Sequence, residues 1–331
     1  MNKYITNTLL WKACREIFSK HCKFYNMIKI HIPNVFRKDD IQYFTEIFLI
    51  IPFINQALYN EIQQKANWWN DGLFTKLFFN TPVLENVALS ECNIVGMPFK
   101  YSPTDERFNN ICNEAQKYNK MVAAFYNDDY TDSFDLPTNL ILFRASALKS
   151  QLKVNERILP VLVPDHSSIN NILNTSNIKR SIGFCGHAEG IRLRILDEIN
   201  NVVGPNNCNF IIRPTFYHNT GRVNINTRRE YYANIADNLY TLCVRGAGNF
   251  SYRFYEALCM GRIPILIDTD TSLPFEKIID WSKYIIKINE SEIDQLPLLI
   301  SKCNIHPIDV RKLWEEYFSP EGYMKNFYRD I

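Results

Sequence analysis

Residues 239–281 constrain the fold of this chain more tightly than any other stretch. Residues 239–244 (LYTLCV) are apolar enough for a buried strand, and residues 245–249 (RGAGN) form a loop with two glycines. Residues 251–260 have helical composition with Ser251 at the N-cap, Gly261 stops the helix, and residues 263–267 (IPILI) make a second strand. Such a loop joins the C-terminal end of a strand to the N-terminus of a helix. It offers free backbone N–H groups at the positive end of a helix dipole, a place that favours phosphate.

Two arginines flank that place. Arg245 and Arg253 have the forked, permanently charged guanidinium that grips a diphosphate through charge-assisted hydrogen bonds. Glu256 lies three residues after Arg253 on the same helix face, where a carboxylate accepts from both hydroxyls of a ribose. Arginines for phosphates and an acid for a ribose suggest a nucleotide-diphosphate ligand. Taken singly, the same residues would read as a solvated loop and an i,i+3 ion pair of little worth.

The ordered pattern R-G-x-G-x-x-S-x-R-F-x-E-A-L, followed by G-x-I-P-I-L-I, L-P-F and a tryptophan, resembles the donor-binding segment of exostosin-family glycosyltransferases. Weaker similarity runs back through residues 181–186 (SIGFCG), 141–146 (ILFRAS) and 92–98. The resemblance implies phosphate contacts at Arg245 and Arg253 and ribose recognition by Glu256, and Gly246 and Ser251, on the same loop and N-cap, join the donor-binding set. It implies that residues 273–275 (LPF) shape the loop beside the donor, with Trp281 in the core. It also implies a GT-B architecture, with two Rossmann-like α/β domains facing each other across a cleft. The donor is a nucleotide-diphosphate sugar, most simply UDP-linked, and no further cofactor is implied.

Strand and helix patterns alternate through two halves, which argues for parallel sheets with crossover helices. In the first half, strands are expected at 28–32, 92–97, 122–126, 140–143 and 159–163. Helices are expected at the N-terminus, at 40–65, 107–119 and 145–152. A polar stretch, residues 165–179, reads as a linker. The second half has strands at 181–185, 210–213, 239–244, 263–267 and 283–288, with helices at 191–200, 227–237 and 251–260. The resulting division is an acceptor-side domain, 1–165, a linker, 166–180, and a nucleotide-sugar domain, 181–309. A helical region, 310–331, is expected to cross back to the first domain.

Composition narrows the partners. A net charge of +2 with no dense basic run gives no footing for nucleic acid. Nine cysteines, none in a C-x-x-C pair, fit buried thiols in a reducing compartment. Charges come too early and too often in residues 1–20 for a signal peptide. These features point to a cytoplasmic protein, and hence to a soluble microbial relative of the family. The Leu9, Leu10, Ala13, Ile17 spacing is amphipathic, which leaves peripheral docking at the inner membrane face open beside ordinary core packing.

Further candidates are single residues. Gly186 and His187 close a second strand-to-loop transition, and Arg213 ends a neighbouring strand at the same sheet edge. All three join the donor-binding set. Arg192 and Arg194 read as solvated, and Arg144 sits in a family-like segment with no role implied. Asp268 and Asp270 invite a metal reading, but arginines and a helix dipole neutralise a leaving diphosphate without one, so no metal is expected. Sugar transfer with inversion requires a base beside the acceptor hydroxyl. Asp128 and Asp129, just past residues 122–126, stand where such a base belongs, although NDDYTD also reads as a polar turn. His31 and Asp105 are further options. The expected activity is inverting, metal-independent transfer of a sugar to a hydroxyl of a glycan or lipid-linked glycan, as in surface polysaccharide synthesis. The alternatives are a nucleotide-sugar epimerase or hydrolase, and a non-catalytic nucleotide-sugar-binding partner of another transferase.

Overall fold

The computed structural model describes residues 28–33, 35, 84–163, 165–166, 178–215 and 225–331. The expected N-terminal helix and the helix over 40–65 lie outside them. The first sheet is built from β1 (Ile28–His31), β2 (Leu84–Asn86), β3 (Ile94–Lys100), β4 (Val122–Tyr126), β5 (Leu140–Arg144) and β6 (Glu156–Ile158), in the order β2-β1-β3-β4-β5-β6. The second holds β7 (Lys179–His187), β8 (Cys208–Arg213), β9 (Asn238–Cys243), β10 (Ile263–Asp268) and β11 (Ile286–Asn289), in the order β11-β10-β9-β7-β8. Each strand pairing within both sheets is parallel.

The sequence explains that choice. Every residue of β4 (VAAFY) and β5 (LILFR) is buried, as it must be where helices cover both faces of a parallel sheet. Between the strands run α1 (Glu106–Gln116), α2 (Ile191–Val203), α3 (Ile225–Asp237) and α4 (Tyr252–Cys259). Gly183 lets α3 approach β7 closely, because a Cβ there would lie 2.9 Å from Asn234 O and Asn238 Nδ2. In the second sheet the chain order reverses at β7, with β8 on one side and β9 on the other. The loops after β7 and β9 therefore flank the switch point, the usual ligand position in open α/β sheets.

The chain continues past β11 into α5 (Leu296–Ser301), α6 (Pro307–Leu313), a π turn (Trp314–Phe318) and α7 (Pro320–Asn326). Phe318 packs on Trp281 at 5.5 Å, and Phe327 reaches Phe143 of β5 at 6.3 Å. The C-terminal segment thus touches both sheets.

Three local expectations change. Residues 145–152 hold a single 3-10 turn, Lys149–Gln151, because Asp270 of the second lobe captures the backbone N–H groups of Lys149 and Ser150. Residues 159–163 form no strand: Leu159 N still donates to Arg144 O at 2.8 Å, and the strand at that edge is β6 instead. Within the expected linker, Asp165 clasps Arg311 with two bonds of 2.9 and 2.8 Å, and β7 already begins at Lys179. The stretch 167–177 lies outside the described residues.

Candidate functional site

The C-terminal ends of β7 and β9 bring three arginines together. Arg253, on the first turn of α4, is only 8% exposed and lays its guanidinium 4.1 Å from the Phe184 ring centre. Its Nη2 donates to Cys185 O at 2.7 Å, while its Nε is buried with no hydrogen-bond partner. Gly186 makes this possible: a Cβ there would meet Nη2 at 3.0 Å. Arg192, near the N-terminus of α2, donates from Nε to Arg245 O at 2.9 Å and from Nη1 to His187 O at 3.3 Å. Its Nη2 would lie 3.1 Å from a Cβ on Gly246, so the first loop glycine gives it room. Burial lowers the Arg192 pKa, and repulsion from Arg253 and then Arg245 adds to the effect, with Tyr231 and Glu189 opposing.

Arg245 lines a crevice where the two sheets meet, opposite Ala145 and Ile158 of the first lobe and beside Ser251. Its free volume is about 20 Å³, room for one water, so the lobes are in near contact there. Among the described residues, none of Arg192, Arg245 and Arg253 has a carboxylate within ion-pair distance. Burying a cation without an anion costs several kcal/mol, only partly returned by aromatic faces and carbonyls. A trio of guanidinium groups in this state suits an anion by its chemistry. Arg192 reads as solvated from sequence alone; its signal is its place at a helix N-terminus just after a Gly-bearing loop.

Glu256 follows one turn further along α4 and is buried at 9% exposure. The Tyr231 hydroxyl makes a short bond to its Oε2, and burial raises its pKa against the pull of that bond, Arg253 and Arg228. It therefore pairs with tyrosine, not with Arg253. Ser251 caps α4 through its backbone, with no side-chain bond to the helix. The neighbouring candidates are engaged elsewhere. Arg213 pairs with Glu230 at 2.6 Å and donates to Thr227 O, and His187 sits between Arg213 O at 3.1 Å and Glu189 at 3.4 Å. Arg194 pairs with Glu290 on the surface.

Across the crevice, Asp128 is bound to Lys100 at 2.7 Å and also accepts from Asp129 N. Asp129 points at the arginine loop: its Oδ1 would lie 2.7 Å from a Cβ on Gly248. The two adjacent carboxylates thus differ, one tied within its own lobe and one reaching the other. His31 Nδ1 lies 3.0 Å from Val87 O, and Asp105 caps α1 while gripping Arg107. Asp268 accepts from Thr271 N and pairs with Lys287 at 3.0 Å. Asp270 faces the other way and binds Ser150 N and Oγ. Among the described residues no cluster of three or more His, Cys, Asp or Glu side chains is placed to hold a metal ion. No helix among them is long and apolar enough to cross a membrane.

Two parallel α/β lobes, with three arginines at the switch point of the second and the Asp129 carboxylate against its loop from the first, define a GT-B-like two-domain protein. The profile of the Exostosin GT47 domain matches residues 121–303, more than half of the chain, which therefore belongs to the exostosin family. Exostosin-1 of Drosophila melanogaster is 33% identical over 96 residues, 28% of this chain and 13% of the fly protein. A probable glucuronosyltransferase of Oryza sativa subsp. japonica is 26% identical over 88 residues, 26% of this chain and 21% of the rice protein. The chain thus spans a small part of these relatives, and both are eukaryotic.

Proposed function

We propose that this chain is a glycosyltransferase that moves a sugar from a nucleotide-diphosphate donor, UDP-linked, to a hydroxyl of a glycan, with inversion and without a metal ion. The observation that carries this reading is the trio Arg192, Arg245 and Arg253, buried or half-buried and lacking any anion among the described residues. A diphosphate supplies the missing charge. The reaction places most of its developing charge on that same group, where each preorganised donor is worth about 3 kcal/mol.

In the reaction, the acceptor oxygen attacks the anomeric carbon from the face opposite the diphosphate. The bond from that carbon to the phosphate oxygen breaks, and its electron pair leaves on the diphosphate held by the arginines. The acceptor proton passes to Asp129, whose carboxylate has no partner among the described residues and lies against the donor loop. Glu256, aligned by Tyr231, accepts from the ribose hydroxyls. Arg213, His187 and Asp128 shape the surroundings through the bonds given above.

Incubation with a panel of nucleotide sugars, UDP-glucuronate included because of the rice relative's name, tests the reading against a glycan acceptor array. Acceptor-dependent release of UDP is expected. Turnover of donor without acceptor would assign a hydrolase or epimerase instead, and tight donor binding without turnover a non-catalytic partner.

A further inference from the structure

We propose that the Ser146 hydroxyl is a clasp between the lobes, a positioning residue that fixes the Asp129 loop against the arginine loop. The inference rests on the transferase reading above only for its consequence in turnover. Ser146 is fully buried just past the end of β5. Its Oγ accepts from the backbone N–H of Asn249 at 2.9 Å and donates to the backbone carbonyl of Asp129, also at 2.9 Å. One hydroxyl therefore joins the loop that carries Arg245 to the residue that faces it.

Both sides of the clasp are themselves held. On the first lobe, Arg144 donates to Ser146 O, Asp132 O and Tyr130 O at 2.8, 2.7 and 3.1 Å, so one buried guanidinium sets the course of residues 129–132. On the second, the Asn249 side chain donates to Ala147 O and Asp270 O at 2.9 and 3.1 Å and accepts from Thr269 at 2.6 Å. The Asn249 carboxamide thus spans both lobes, and Leu148 bridges Thr271 beside it. Gly248 is the seat of the contact: any larger residue would displace the Asp129 carboxylate. Without the Ser146 hydroxyl, the Asn249 N–H and the Asp129 carbonyl lose their shared partner, and the direct link between the two loops is gone.

The test compares the full chain with Ser146→Ala, Asp129→Asn and the double variant. Hydrogen exchange reads the clasp without any activity: Ser146→Ala is expected to speed exchange in 126–132 and 245–251 together, at least about tenfold. Unchanged exchange, or a change in one segment alone, overturns the proposal. In transfer assays Ser146→Ala is expected to lower kcat about 30-fold with the donor KM within about threefold. In the Asp129→Asn background the same change is expected to cost less than about twofold, since two residues acting through one contact do not add. A full 30-fold loss in that background would show that Ser146 does not act through Asp129. If the unaltered chain moves no sugar, the transferase reading fails, while the exchange result still decides the clasp.

Discussion

Arg144 and Arg253 occupy comparable places in the two lobes, each buried at a sheet's C-terminal edge, and they are used in opposite ways. Arg144, 1% exposed, pairs with Glu156 at 2.9 Å and donates to three backbone carbonyls, so that every guanidinium nitrogen is engaged. Arg253 has one carbonyl, two aromatic faces and a buried Nε with no partner. The first arginine is complete within the protein and holds it together. The second is incomplete, and the protein bears the cost of keeping it so. A buried cation says little about function until its partners are counted.

That contrast breaks if the two arginines respond alike to removal. Arg144→Met strands the Glu156 carboxylate in the core and is expected to cost about 3–5 kcal/mol in denaturant unfolding, the largest effect here. A loss below about 1 kcal/mol would mean the pair is not the staple described. Arg253→Met leaves no ion stranded, so ligand-free stability is expected to stay within about 1 kcal/mol of the unaltered chain. Transfer, by contrast, is expected to fall at least about 100-fold, the kinetic equivalent of about 3 kcal/mol. Matching losses of stability in the two variants would erase the distinction.

His166 sharpens the comparison, since it shows the second lobe refusing a charge. It stacks on Tyr232 at 4.3 Å, and burial, aided by Arg228 against Asp165, pushes its imidazole down to about 4. The unfolded chain takes up a proton near pH 6.5 and the folded one does not. The stabilisation is therefore complete above pH 6.5 and is lost as pH falls towards 4, by roughly 3 kcal/mol in total. His166→Phe is expected to flatten that slope in urea titrations from pH 7 to 4; an unchanged slope would place the titration elsewhere. The smallest effect belongs to Arg192→Lys, which keeps the charge but loses the fork. It is expected to weaken UDP binding about tenfold by calorimetry, and an unchanged affinity would remove Arg192 from the cradle.

Much of this was legible in the sequence. The apolar runs of β4, β5, β9 and β10 announce a parallel sheet, and the strand–loop–helix at 239–260 marks the candidate site. What escaped depended on the other lobe. Residues 145–152 have helical composition, but Asp270 and Thr271, more than a hundred positions away, take their backbone groups first. Arg192 resembles any arginine on an exposed helix until β7 and β9 bring it beside Arg245. Spacing offers an Arg253–Glu256 ion pair, and only the packing of α3 against α4 gives Glu256 to Tyr231 instead. The choice between Asp128 and Asp129 was equally hidden, since Lys100 claims the first and Gly248 admits the second.

Calorimetric titration of UDP and of uridine into the unaltered chain and into Arg253→Met tests the unpaired arginines most directly. The account predicts that UDP binds the unaltered chain at least about 100-fold more tightly than uridine, and that Arg253→Met abolishes most of this difference. Equal affinities for UDP and uridine, or a variant that binds UDP as well as the unaltered chain, would contradict it.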